Sequence, residues 1–121
     1  MDFLTIGNDQ MRKLFIVREK KEFNKLIKTG ICKKNDYFVI YYKNNNLKYD
    51  RFGISVGTKI GNAVTRNKYK RKMRAILDIY IKKCNTKKDY IILLRKKALS
   101  VSFEKLEKSL FNLLIEGVNN E

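Results

Sequence analysis

Apolar residues recur along the chain with both helical and strand-like spacing. The periodicity predicts helices over 19–28, 62–83 and 102–116, and strands over 37–42, 51–57 and 89–95, with a short strand near Ile31. In the first helix, Phe23, Leu26 and Ile27 share one face, and Gly30 is a plausible stop. The order is helix, three strands, helix, strand, helix. It predicts an α+β single domain with one sheet and helices packed on it.

The long helix over 62–83 has two chemically different sides. Asn62 is a credible N-cap. Apolar residues at spacings of three and four predict a core stripe, formed by Tyr69, Met73, Ile76, Leu77, Tyr80 and Cys84. In the last helix the inward residues are Leu106, Leu110, Leu113 and Leu114, and Gly117 is expected to end it. The strands at 51–57 and 89–95 flank the long helix, so they can be parallel neighbours.

Charge narrows the possible partners. Twenty-eight Lys and Arg face twelve Asp and Glu, which gives a net charge of +16 in 121 residues. Such a surplus repels itself unless a polyanion neutralises it. Nucleic acid is the first expectation, an anionic membrane surface the second, and an acidic protein a distant third.

Positive charge is concentrated around the long helix. Between Asp50 and Asp78 there is no acidic residue, and like charges recur at i,i+4, as in Arg66 with Lys70. Each such pair costs a few tenths of a kcal/mol in an isolated helix. Phosphates of a bound RNA would remove that cost.

The sequence lacks the histidines, paired cysteines and clustered carboxylates that metal sites and protein nucleases commonly use. There is no His, and Cys32 and Cys84 lie too far apart for paired-Cys metal spacing, so we interpret both as small buried hydrophobes. Asp36, Asp50 and Asp78 are scattered, which disfavours a stand-alone protein nuclease. No apolar run approaches the roughly 20 residues that span a bilayer, and the first ten residues do not resemble a signal peptide. We therefore expect a cytoplasmic protein.

One motif is far more specific than a basic run. The segment from Thr58 to Arg74 closely resembles the signature of the bacterial ribonuclease P protein family, K-x-G-N-A-V-x-R-N-x-x-K-R-x-x-R. The family often has Arg where this chain has Lys68. A second family pattern, F-x-x-[VL]-x-K-x-G, is met by Phe23, Leu26, Lys28 and Gly30. The resemblance implies a flexible N-terminal extension over 1–11, a ribonuclease P protein domain over 12–117 and a tail over 118–121.

The resemblance also implies a fold detail and a function. The fold would carry a left-handed strand–helix–strand crossover, against the usual handedness. The protein would be a subunit of a hydrolytic endoribonuclease that removes the 5′ leader from precursor tRNA. The RNA subunit would make the cut with Mg²⁺ bound mainly by that RNA, so no catalytic residue is expected in the protein. Its partners would be the catalytic RNA and precursor tRNA and not a membrane, with a monomer the simplest protein state.

Two sets of site residues follow from the resemblance. Those expected to dock on the catalytic RNA are Lys59, Gly61, Asn62, Arg66, Asn67, Lys68, Lys70, Arg71 and Arg74. Those expected to bind the 5′ leader, between the first helix and the sheet, are Phe23, Ile27 and Tyr41. Many family members have a second Phe where Ile27 stands.

Alternatives remain open from sequence. Asn67 can be simply solvent-exposed, and Phe23 can be plain core. A non-enzymatic ribosomal-type RNA-binding protein explains the charge and the aromatic residues equally well. A membrane-surface helix would need large apolar residues at the interface and a helix free of neighbouring strands.

Overall fold

The computed structural model describes residues 2–5 and 20–119, apart from 47, 49 and 85. Side chains are described from Asn24 to Ile115 within those ranges. The structure has five strands and three α-helices in this part of the chain. They are β1 (Asp2–Thr5), α1 (Lys20–Thr29), β2 (Ile31–Lys34), β3 (Phe38–Asn44), β4 (Arg51–Val56), α2 (Ala63–Lys83), β5 (Lys88–Leu94) and α3 (Phe103–Asn119). Short 3₁₀ helices at Thr58–Ile60 and Lys96–Ser100 precede α2 and α3.

The strands form one mixed sheet in the order β1-β4-β5-β3-β2. β4 and β5 run parallel, with Phe52 opposite Tyr90, and α2 makes the connection between them. The other pairings are antiparallel. The predicted α+β class, the element order from α1 onward and the parallel neighbours are therefore confirmed.

Strand β1 was not predicted. It falls within the expected extension over 1–11, and its backbone pairs with the outer edge of β4, with Asp2 opposite Val56. Four residues carry too little periodicity to identify a strand. The partner lies some fifty positions later, so only the folded chain brings the two together.

One face of the sheet carries the main core. Alternate residues of β3, β4 and β5 are buried there against α2 and α3, namely Phe38, Ile40, Tyr42, Phe52, Ile54, Val56, Tyr90, Ile92 and Leu94. The rings of Phe52 and Tyr90 stack with centroids 5.1 Å apart and planes 8° from parallel. The predicted α3 leucines at 106, 110, 113 and 114 are buried in the same core. Burying these side chains is the main force that holds α2 and α3 on the sheet.

The opposite face of the sheet carries α1. Leu26 of α1 and Ile91 of β5 are buried together, and Ile27, Tyr41 and Leu93 pack around them partly exposed. The fold thus has helices on both sides of the sheet. The α1 side is the less completely covered of the two.

Gly30 ends α1 for a steric reason. Its N–H donates to Leu26 O at 2.7 Å. A Cβ at this position would lie 2.7 Å from Leu26 O and 3.0 Å from Tyr42 O, both backbone atoms. The predicted stop at Gly30 is confirmed, because no other residue fits between the helix end and β3.

Two expectations are wrong. Cys32 is exposed and not a buried hydrophobe, because it lies on the four-residue edge strand β2. Gly117 does not end the last helix, since α3 continues to Asn119. A glycine inside a helix costs only about 1 kcal/mol relative to alanine, which the packed leucines preceding it can offset.

Two carboxylates organise the connections around the sheet. Asp50, which is buried, accepts hydrogen bonds from Lys88 N at 2.7 Å and from Thr86 N and Oγ1 at 3.1 and 2.9 Å. Asp89 accepts from Arg51 Nε at 2.8 Å and Nη2 at 2.6 Å. Asp50 therefore fixes the route from α2 into β5, and Asp89 ties the starts of β4 and β5 together.

Candidate nucleic-acid interface

Helix α2 is held on the sheet by its apolar stripe. Tyr69, Met73, Ile76, Leu77 and Tyr80 are buried, as predicted. Cys84, just past the helix end, is half-buried. Because α2 is anchored on one side from Tyr69 to Tyr80, its opposite side is presented to solvent.

The loop before α2 is equally well defined. Asn62 Oδ1 accepts a hydrogen bond from Thr65 N at 3.0 Å, which confirms Asn62 as the N-cap. Gly61 has φ of 156°, a backbone conformation that favours glycine, and a Cβ there would lie 3.2 Å from Thr65. Ile60 is buried and anchors the loop. These contacts hold Lys59 beside the amino end of the helix, where the helix dipole favours an anion.

The outward side of α2 and its loop form the basic surface, defined by the nine residues predicted to dock on RNA. The exposed members are Lys59, Gly61, Asn62, Asn67, Lys68 and Arg71, and the half-buried members are Arg66, Lys70 and Arg74. A shallow depression of about 250 Å³ is lined by Asn67, Lys70, Arg71 and Arg74. The structure therefore brings four of the nine residues, Asn67, Lys70, Arg71 and Arg74, together around one depression.

Arg66 differs from the other arginines of the basic surface. It lies on the flank of α2, and its Nε atom is buried. The Nε edge of its guanidinium group is therefore directed away from solvent. Lys72, which was not predicted to dock, is directed elsewhere, since its Nζ lies 4.7 Å from the centroid of the Tyr69 ring.

A further cationic residue, Lys96, lies beside the basic surface. A second depression of about 390 Å³ lies where the parallel strands β4 and β5 end, and Thr58, Lys59 and Lys96 are among its lining residues. Neither Thr58 nor Lys96 is among the residues predicted from the sequence to dock on RNA. The signal that could have found them was the parallel pairing, because loops that follow parallel strands meet at one edge of the sheet.

The residues predicted to contact the leader lie on the α1 side of the sheet. Tyr41 and Ile27 are half-buried and pack in one cluster. Desolvation raises the pKa of Tyr41 above its ordinary value, and the neighbouring Cys32 thiol adds to the effect. Phe23 belongs to α1 by its backbone, and its side chain lies outside the described part of the structure.

Metal sites and membrane spans find no support in the described residues. Within 2–5 and 20–119, apart from the three gaps, no group of three or more Cys, Asp or Glu residues is placed to hold a metal ion. In the same part of the chain, no helix is both long and apolar enough to cross a membrane.

Comparison with known proteins identifies the family. The sequence model of the family described as Ribonuclease P matches residues 11–116. The chain belongs to the ribonuclease P protein family. This confirms the resemblance carried by the loop and helix at Thr58–Arg74, and it places the chain among protein components of the endoribonuclease ribonuclease P.

Relatives and solved structures agree with this assignment. The chain is 45% identical over 107 residues to the ribonuclease P protein component of Mycoplasma mycoides, covering 88% of this chain and 98% of the relative. It is 38% identical over 104 residues to that of Streptococcus pyogenes, covering 86% and 87%. Among solved structures, a variant of the Staphylococcus aureus RNase P protein superposes with a TM-score of 0.82 at 32% identity, covering 89% and 92%. The RNase P protein of Thermotoga maritima superposes with a TM-score of 0.76 at 33% identity, covering 81% of this chain and 93% of that protein.

Proposed function

We propose that this protein is the RNA-binding subunit of ribonuclease P and assists a catalytic RNA in removing the 5′ leader from precursor tRNA. The observation that carries the proposal is the construction of α2. Its apolar side is buried along the sheet, and its opposite side presents the family's basic signature to solvent.

The basic surface is suited to docking on a folded RNA backbone. Exposed Arg71 can grip a phosphate through two hydrogen bonds, while Lys59 and Lys68 supply point charges. Asn67 can donate and accept at once, which suits a ribose 2′-hydroxyl. Because the helix and its loop are already held in place, little backbone ordering remains to oppose binding.

The α1 side of the sheet is suited to an unpaired leader. Tyr41 is partly exposed and packs beside the apolar side chains of Ile27 and Leu93. A base stacked on an aromatic ring contributes about 1–3 kcal/mol with little demand on sequence. Such tolerance fits an enzyme that processes many different leaders.

The chemical step is assigned to the RNA partner. Mg²⁺, bound mainly by that RNA, would activate water and stabilise the leaving oxygen. The protein's charge of +16 would reduce the repulsion between catalytic RNA and precursor tRNA, and so lower the Mg²⁺ concentration that cleavage requires.

The docking proposal is tested by measuring affinity for the organism's own catalytic RNA at several salt concentrations. We expect a steep fall of affinity with salt. The double variant Lys68→Ala with Arg71→Ala should bind more weakly, with a slope of log K against log salt reduced by about one for each phosphate that the protein no longer neutralises. Both residues are exposed, so their removal should leave the fold intact.

A matched control removes the same charge elsewhere. Lys105 and Lys108 are exposed on α3, and the double substitution Lys105→Ala with Lys108→Ala also lowers the net charge by two. We expect nearly unchanged affinity and slope. An equal loss of affinity in both double variants would show that general charge, and not the basic surface, determines binding.

The leader proposal is tested with the reconstituted holoenzyme. Tyr41→Leu should weaken binding of precursor tRNA by about 1–3 kcal/mol while leaving binding of mature tRNA unchanged. Tyr41→Phe keeps the aromatic ring, so it should bind precursor tRNA nearly as tightly as the wild type. If Tyr41→Leu weakened both substrates equally, Tyr41 would not contact the leader.

Phe23 is tested in the same assay together with a melting curve. Phe23→Ala should spare binding of the catalytic RNA and reduce affinity for the leader. Loss of the folded state would assign Phe23 to the core instead. A separate assay measures precursor-tRNA cleavage by the catalytic RNA at low Mg²⁺, with and without the wild-type protein. The proposed subunit should stimulate cleavage, whereas a ribosomal-type RNA-binding protein should not.

A further inference from the structure

One apolar side chain stands out on the basic surface. Val64 is 75% exposed, whereas Ile31, Ile115 and Ile79, also exposed, reach 46%, 41% and 37%. Val64 is the second residue of α2, directly after the Asn62 cap and Ala63. It therefore belongs to a capped helical turn and not to a frayed end.

The position of Val64 on α2 is opposite to the core. Met73, nine residues later, is buried at 1% exposure. Nine residues at about 100° each amount to two and a half turns, so the two side chains point in opposite directions. Arg71, seven residues after Val64, lies within about 20° of it on the outward side.

Within the part of the chain that the structure describes, the fold gives no reason for a valine at this position. An exposed β-branched residue gains no burial, and valine lowers helix stability relative to alanine, lysine or glutamate. Single exposed apolar residues are common on proteins. This one differs because it lies one helical turn before Asn67 and Lys68, both exposed members of the basic surface.

We propose that Val64 makes an apolar contact with an unpaired nucleotide of the docked RNA, at the end of the basic surface formed by the loop and the first turn of α2. This inference rests on the proposed function and adds a residue to its docking site. Arg71 and Lys68 would hold the flanking phosphates, and Val64 would cover the face of the base between them. The occupant is RNA because the exposed polar side chains around Val64 are amide or cationic groups, namely Asn62, Asn67, Lys68 and Arg71.

The contact has a signature that separates it from charge. An apolar side chain displaces no counterions, so its removal should weaken binding by the same factor at every salt concentration. Removal of the Arg71 side chain should instead change the slope. Salt titration therefore distinguishes the two contributions within one experiment.

The test compares Val64→Ala and Val64→Thr with the wild-type protein, using the organism's catalytic RNA. We expect each variant to bind about three- to ten-fold more weakly, with an unchanged salt slope. Val64→Ala should melt at the same or a higher temperature, because alanine favours the helix. Ile115→Ala, an exposed apolar residue on α3, serves as the control and should bind like the wild type.

Each other outcome decides against the inference. Unchanged affinity of both Val64 variants, with Arg71→Ala still flattening the slope, would refute the Val64 contact and leave the docking proposal standing. A changed slope in Val64→Ala, or a lowered melting temperature, would assign Val64 an indirect or structural role. Failure of the wild-type protein to bind the RNA would instead refute the proposed function itself.

Discussion

Single residues decide how the loops around the sheet are held. Asp50, only 3% exposed between β3 and β4, receives three hydrogen bonds from Thr86 and Lys88. Gly30 and Gly61 are required for different reasons, the first because a Cβ would meet backbone oxygens, the second because of its backbone angle. All three residues act by fixing the backbone that positions α1, α2 and β5.

Removing the Asp50 carboxylate should destabilise the protein strongly. Asp50→Ala leaves two backbone N–H groups and a hydroxyl without their acceptor, and we expect the free energy of unfolding to fall by about 3 kcal/mol. Urea denaturation of the protein alone measures this. Asp36→Ala, at an exposed carboxylate, is the control and should lie within about 0.5 kcal/mol of the wild type. A small effect at Asp50 would mean that the connection from α2 to β5 is held by other contacts.

At the scale of elements, the contact between α2 and the sheet includes an aromatic pair. Tyr80 of α2 lies edge-on to Phe52 of β4, with ring centroids 6.3 Å apart. Desolvation, followed by the nearby Cys84 thiol, raises the pKa of Tyr80 to about 12. Desolvation, followed by Tyr80, also raises the pKa of Tyr90 on β5. The surface that orients the basic helix therefore depends on two tyrosines that remain uncharged.

This predicts a loss of stability at alkaline pH. An unfolded tyrosine releases its proton near pH 10, whereas the raised pKa of folded Tyr80 keeps the proton on until about pH 12. The stabilisation from Tyr80 is fully present below pH 10 and falls as pH rises from 10 to 12, by about 1.4 kcal/mol per pH unit. Chemical denaturation across this range measures it. The free energy of unfolding of Tyr80→Phe should fall less steeply with pH than that of the wild type. An identical slope would show that Tyr80 does not titrate as described.

At the scale of the whole molecule, charge acts on folding and on binding in opposite directions. A net charge of +16 repels itself in the isolated protein. Two carboxylates that could offset it, Asp50 and Asp89, are buried in loop and strand contacts and not on the basic surface. Both carboxylates are engaged by hydrogen bonds from Thr86, Lys88 and Arg51.

Salt should therefore stabilise the protein and weaken its complex. Raising NaCl from about 0.05 to 0.5 M shortens the screening length well below 10 Å. We expect the melting temperature of the free protein to rise over this range while affinity for the catalytic RNA falls. Melting curves and binding titrations at the same NaCl concentrations measure the two effects. A melting temperature that fell with salt would mean that attractive pairs, and not repulsion, dominate the folded state.

Much of this architecture follows from the sequence. The periodicity of α2 identifies its core stripe, Asn62 its first turn, and the acid-free stretch from 51 to 77 its basic side, because each is a local pattern read at a helical or strand repeat. The family signature adds the function. Tertiary structure alone decided the pairing of β1 with β4 and the exposure of Cys32. It also decided the burial of Arg66 Nε and the depression that both Lys59 and Lys96 line. Those features depend on which distant segments become neighbours, and a local repeat contains no information about that.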